Sequence, residues 1–205
     1  SLKTSRNFDS TCLEFAMSTA LQITVAEYDR LIKKGFFNQL RDRRIELIRG
    51  ELRQMSPPGP VHEEAIDVLT RWSTSNTDPA VVRVRVQNSI GLPELDSAPQ
   101  PDVAWVREQA YRKGRPTSDD VILVIEVSDS SLNYDRGTKA KLYAQAGIAD
   151  YWVVNLRDSC IEIFRDPQDG EYQSHEVFDR GHTVRPLKFP KLKLSVTKLF
   201  DWYAV

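Results

Sequence analysis

The spacing of apolar residues along the chain switches between helical and extended periods, and each switch marks an element. Thr24-Val25-Ala26-Glu27 has capping-box spacing, and Tyr28, Leu31 and Ile32 follow at helical intervals until Gly35 stops the run. Residues 44–55 predict two strands around Arg49-Gly50, a hairpin or a bulged strand with Ile45, Leu47, Leu52 and Met55 inward. Pro57-Pro58-Gly59-Pro60 imposes a rigid extended break. Pro60 suits the first turn of the helix implied by Ala65, Ile66, Leu69 and Trp72, which residues 76–79 end. Val82, Val84 and Val86 alternate with Arg83 and Arg85, the pattern of a strand with one wet face.

Further strands are expected over residues 101–106 and 121–128, the latter the most apolar segment of the chain. A helix over 135–146, closed by Gly147, precedes strands at 151–156 and 160–165, and two weaker strands at 172–178 and 191–196 complete a mixed sheet. Strands and helices interleave without a repeated βα unit or a Gly-rich phosphate loop, so neither a TIM barrel nor a dinucleotide fold is supported. The fold class is α/β (α+β), a mixed β-sheet flanked by α-helices.

Composition sets bounds on this picture. A chain of 205 residues suits one core, and 40% hydrophobic residues with four Trp exclude a disordered polymer. No apolar run approaches the roughly 20 residues of a membrane helix. The 28 basic and 29 acidic residues nearly cancel, so any polyanion site must be local. Cys12 and Cys160 make neither a disulfide framework nor a zinc cluster, which favours a reducing cytoplasm, and His62, His175 and His182 form no close-spaced metal motif. Residues 1–20 lack a signal-type apolar core and read as a flexible leader or upstream extension, with Met17 an alternative start; residues 21–205 read as a single domain.

The chemical anomaly is Glu126 within Val121-Ile122-Leu123-Val124-Ile125-Glu126-Val127. An ionised carboxylate on a central strand costs several kcal/mol (order of magnitude) unless a partner or a metal compensates it. An antiparallel register with Val106 opposite Ile122 also sets Asp102 opposite Glu126, at a Cβ separation of about 4.5–5.5 Å. Two such carboxylates repel or share a proton unless a divalent cation lies between them, and oxygen ligands favour Mg²⁺ or Mn²⁺ over zinc. Lys139 shares a helix face with Leu142, Tyr143 and Ala146, where one ammonium beside two acids would balance charge, position a water and stabilise a phosphorane. The spacing leaves a structural ion-pair network, and a Lys139 that snorkels past Tyr143 to water, equally open.

Five blocks in order carry a resemblance: Arg44-Ile45-Glu46-Leu47-Ile48-Arg49-Gly50-Glu51-Leu52 with Met55 to His62; Gln100-Pro101-Asp102-Val103-Ala104-Trp105-Val106; Ile125-Glu126-Val127-Ser128-Asp129; Tyr134-Asp135-Arg136-Gly137-Thr138-Lys139; and Tyr143-Ala144-Gln145-Ala146-Gly147 continuing to Trp152. Together they resemble the Uma-two family of endonucleases, within the PD-(D/E)XK nuclease superfamily, over residues 24–203. The resemblance implies a restriction-endonuclease-like fold and a catalytic set of Asp102, Glu126 and Lys139. It also implies a metal, Mg²⁺ or Mn²⁺, on Asp102, Glu126 and the Val127 carbonyl. The superfamily's usual lysine would stand at Ser128; the resemblance implies that Lys139 replaces it.

Accessory candidates are Glu51 as a further metal ligand, His62 to orient a phosphate or water, and Glu46, expected to face solvent between Ile45 and Leu47. Asp129-Ser130-Ser131 is a candidate phosphate contact or turn cap, Asp135 a helix N-cap, and the 151–154 strand an edge-to-core packing element. Arg83, Arg85, Arg107, Arg112, Lys113 and Arg115 are a candidate phosphate footprint or a solvated basic face. The expected protein is a Mg²⁺-dependent endonuclease acting on DNA, paired as a homodimer. Its rivals are a catalytically silent binding or structural module and an RNA- or nucleotide-directed phosphodiesterase.

Overall fold

The computed structural model describes residues 21–40 and 43–201, so the expected leader lies outside the described residues. Helix α1 (Val25–Lys33) starts at the expected capping box, with the Glu27 amide donating to the Thr24 hydroxyl and the Thr24 amide to the Glu27 carboxylate. Gly35, at φ +73°, lets the chain leave it. Tyr28 is buried there, but Ile32 is exposed, because only one side of this helix meets the body.

Strands β1 (Ile45–Ile48) and β2 (Glu51–Gln54) form the hairpin, turned by Arg49 and Gly50, both at positive φ. It is a separate two-stranded sheet, tied to the body by a bridge between Leu47 and Ala98. The hairpin reverses two expectations. All of β2 is exposed, Leu52 included at 42%, whereas Glu46 is fully buried with Leu47 and Ile48. Glu46 does not face solvent as expected, because both faces of β1 are covered.

Helix α2 (Pro60–Asn76) begins with Pro60 in its first turn and ends at the extended Thr77. The main sheet then runs β3 (Val82–Val86), β4 (Val103–Arg107), β5 (Val121–Ser128), β6 (Asp150–Asn155), β7 (Cys160–Gln168) and β8 (Glu171–Phe178), neighbours in that order. Every pair is antiparallel except β5–β6. That parallel join needs a crossover, which the helical stretch between them supplies. It comprises α3 (Leu132–Tyr134), a π-helical turn (Asp135–Lys139) and α4 (Ala140–Gln145), closed by Gly147 at φ +75°. It starts three residues before the expected 135, so Asp135 is an interior residue and not its N-cap.

Two more expectations are corrected. β6 is an interior strand, all six residues buried, because β7 and β8 lie beyond it. The 191–196 strand shrinks to β10 (Leu194–Ser195), which pairs with β9 (Thr183–Val184) in a small separate sheet next to α5 (Val196–Asp201).

The main sheet separates two cores. Val103, Trp105, Leu123, Ile125, Val127 and Trp152 pack on α2 and α5, with Trp72 stacked 5.3 Å from Trp105. Val124, Tyr151, Val153 and Phe164 pack on Leu132, Leu142 and Tyr143 of the crossover. Strand alternation therefore points Glu126, two residues after Val124, at the crossover helix.

Candidate active site

The register between β4 and β5 pairs Val103 with Ile125, Ala104 with Val124 and Trp105 with Leu123. Val106 then pairs with Val121, not Ile122, because a bulge interrupts the ladder after Trp105. The bulge lies at the far end of the pair from Asp102, so the Asp102–Glu126 juxtaposition survives it. The Asp102 amide approaches Glu126 Oε2 at 3.4 Å, and the Val127 amide donates to Asp102 Oδ2 at 3.0 Å. Both acids are buried.

From the facing helix Lys139, 0% exposed, extends Nζ to 2.8 Å from Glu126 Oε1 and 3.2 Å from Glu46 Oε1. Tyr143, one turn on, donates its hydroxyl to the same Glu126 Oε1 at 2.7 Å. Glu46 Oε1 also accepts from the Gln100 amide at 2.6 Å, while its Oε2 has no partner. The ammonium thus bridges an acid of the hairpin and an acid of the main sheet. Ser128 ends β5, and its hydroxyl donates to buried Asp135, as does that of Ser131, both at 2.6 Å. These bonds pin the π-helical turn to the end of β5, and Lys139 closes that turn.

A second set of side chains surrounds Asp102. Arg44 donates to Oδ1 at 3.2 Å and to the Gln100 carbonyl at 2.8 Å; Gln87 reaches Oδ1 at 3.3 Å; His62 Nε2 lies 3.3 Å from Oδ2. Burial alone would raise Asp102, but His62, Arg44 and the Val127 amide outweigh it and hold the carboxyl at about 2. Burial lowers His62, yet Asp102 and the Val127 backbone win and leave it above the ordinary imidazole value. Glu126 goes the other way: burial, with Asp102, Asp135 and Glu46 nearby, pushes it up to about 8 against the pull of Lys139. Lys139 itself is raised despite its burial, because Glu126, Glu46 and Asp135 all favour the charged form.

Asp102, Glu126 and Val127 line one cleft of about 730 Å³, together with Arg44, His62 and the Met55–Pro60 strap. Among the described residues no group of three or more His, Cys, Asp or Glu has the arrangement of a metal cluster. A two-acid site for a hard dication nonetheless fits. Glu126 Oε1 is taken by Lys139 and Tyr143, whereas Oε2 has only the long 3.4 Å contact and belongs to a cleft-lining side chain. His62 sits on Asp102 and the Val127 backbone, so a cation on those groups would share or displace its contacts.

The structure therefore brings Asp102, Glu126, Val127, Lys139, Glu46 and His62 together. Glu51 stands apart, exposed and paired with Arg53 at 3.0 Å. The anticipated basic footprint is not at the cleft: Arg83 pairs with Glu108, Arg115 with Asp29, and Arg85 lies over Tyr111. Arg44, Gln87 and Tyr143 join the site without having been assigned to it from sequence. Tyr143 was within reach, four residues after Lys139 on the same face; Arg44 and Gln87 carry no periodic signal.

A family model described as "Putative restriction endonuclease" (Uma2) matches residues 25–197. Among solved structures the chain is similar to a "putative nuclease belonging to DUF820" from Anabaena variabilis ATCC 29413. The TM-score is 0.63 at 20% identity, over 77% of this chain and 90% of that one. No curated protein matches the chain.

Proposed function

Because the chain belongs to the Uma2 family, we propose that it is a metal-dependent endonuclease that hydrolyses phosphodiester bonds in DNA. The observation that carries this reading is a fully buried ammonium, Lys139, 2.8 Å from a carboxylate that also lines a large cleft. A purely structural ion pair has no need of such an opening.

Asp102, Glu126 and the Val127 carbonyl would hold Mg²⁺ or Mn²⁺, which when bound polarises a phosphoryl oxygen and lowers the pKa of a water. The rest of the chemistry belongs to the chain. Lys139 is held charged by Glu126 and Glu46 and lies behind the cleft wall, so it neither takes a proton from water nor touches the nucleophile; it acts through Glu126, holding that side chain in place and offsetting charge as the phosphorane develops. Tyr143 and Lys139 together fix the rotamer of Glu126. Glu46 anchors the other side of the ammonium and keeps it aimed. Arg44 and His62 hold Asp102, and Arg44 brings positive charge to a cleft that must admit an anion.

Two copies related by a two-fold axis would present one such site to each strand of a duplex, and we take a homodimer as the working state. Among the described residues no helix is long and apolar enough to cross a membrane; a cytoplasmic location remains part of the proposal. The test is cleavage of supercoiled plasmid and single-stranded DNA in Mg²⁺, Mn²⁺ or EDTA by wild type, Asp102→Asn and Glu126→Gln. Wild type alone should cut, and only with metal. Equal cutting by all three, or cutting in EDTA, refutes the assignment.

A further inference from the structure

Apart from the acids and their cations, the cleft is lined by a pair that the proposed chemistry leaves unused, Arg53 of β2 and Tyr134 of α3. The Arg53 guanidinium lies 5.3 Å from the centre of the Tyr134 ring, a cation–π contact joining the hairpin to the crossover helix. The Tyr134 hydroxyl is shielded from solvent and has no hydrogen-bond partner. Buried tyrosine hydroxyls normally find one, and here the chain supplies none. Arg53 has donors to spare as well. Its carboxylate partner, Glu51, is two residues away and exposed, a surface pair worth about 0–1 kcal/mol.

The chemistry of these two groups selects the ligand. A planar fork of N–H donors beside a lone O–H donor suits an anion with at least two free acceptor oxygens. Tyr134 lines the same cleft as Asp102, Glu126 and Asp135, and its hydroxyl feels the charges of Lys139, Arg53, Glu46 and Asp135. An anion approaching those acids needs a cation to escort it, and Arg53 is the cleft-lining arginine that is not bound to Asp102.

We propose that Tyr134 and Arg53 grip the substrate phosphate: Arg53 lets go of Glu51 and shifts on the Tyr134 ring, the shielded hydroxyl is thereby opened to the cleft, and the hydroxyl donates to one non-bridging oxygen and the guanidinium to the other. This inference rests on the nuclease reading and supplies its phosphate contact. The experiment is steady-state cleavage of a labelled duplex oligonucleotide in Mg²⁺ by wild type, Tyr134→Phe and Arg53→Gln across a range of KCl concentrations, with the melting temperature of each. Tyr134→Phe removes only an unpartnered hydroxyl and should leave the melting temperature unchanged or higher while raising KM about tenfold, which is about 1.4 kcal/mol. Arg53→Gln should raise KM and flatten the dependence of log(kcat/KM) on log salt by about 0.9, one phosphate contact.

Wild-type cutting with both variants within about twofold of it and the salt slope intact overturns the proposal and leaves the nuclease reading standing. A wild type that cuts nothing overturns both. Should Tyr134→Phe fail to fold, Arg53→Gln, on an exposed side chain, decides alone.

Discussion

Replacing Lys139 by Met tests the energetics of the site without reference to any substrate. Met keeps most of the apolar stem and removes the ammonium. Two buried carboxylates, Glu126 and Glu46, then lose contacts of 2.8 and 3.2 Å that water cannot replace, because neither acid is appreciably exposed. Each charge-assisted bond is worth about 1.5–3 kcal/mol, and breaking one side of a buried pair typically costs about 3–5 kcal/mol in all. At about 4 kcal/mol, and about 2–4 °C per kcal/mol for a chain of this size, the melting temperature should fall by about 8–16 °C. The pH dependence has a definite sign. Without Lys139, the carboxyl of Glu126 is raised further above its unfolded value, so the folded state binds the extra proton and stability declines as pH rises. Because Glu126 sits at about 8 in the wild type, the two proteins diverge above that value: the deficit should be larger at about pH 9.5 than at about pH 7, and Lys139→Met/Glu126→Gln should recover part of it through a coupling of about 1–3 kcal/mol. Urea titrations at both pH values provide the measurement. A loss below about 1 kcal/mol, or a larger loss at about pH 7 than at about pH 9.5, would refute the buried-ammonium argument.

Three further outcomes follow from the same geometry. Tyr143→Phe removes one of the two donors on Glu126 Oε1 and should cost about 1–2 kcal/mol by denaturant titration while Lys139 keeps the acid paired. Asp102→Asn takes away the anion that holds the proton on His62, so the imidazole pKa should fall, readable by NMR titration of the His62 ring. Asp102 itself is depressed to about 2, so the stability it confers is complete above its unfolded value near 4 and drains away as pH falls toward 2; acid titration of wild type against Asp102→Asn should show that difference.

How far the site could be read beforehand varies residue by residue. Asp102 and Glu126 were legible because a strand register is arithmetic and an acid in an apolar run is conspicuous; the bulge after Trp105 spoiled the anchor pair but lay beyond the acids. Lys139 was legible from its helical face even though the helix contains a π-helical turn, since Lys139 and Tyr143 lie in adjacent positions on either account. Glu46 was misplaced. Alternation in a four-residue strand says which residues share a face, but not whether the other face meets water or a lysine contributed from 93 residues away. Leu52 failed for the complementary reason, since nothing in β2 records that no layer covers it. The basic residues of the 83–115 region lie away from the cleft, Arg83 and Arg115 being paired with acids, Glu108 and Asp29, that only the fold brings in; the guanidinium groups at the cleft are Arg44, just before β1, and Arg53 of β2.

The central claim is that Asp102 and Glu126, at one end of a cleft and braced by Lys139, hold a divalent cation for phosphodiester hydrolysis. Anomalous diffraction from crystals grown in Mn²⁺ addresses it directly. The account predicts a peak within bonding distance of a carboxylate oxygen of each acid, lost in Asp102→Asn. A fully loaded crystal with no peak there, or a peak retained in that variant, would contradict it.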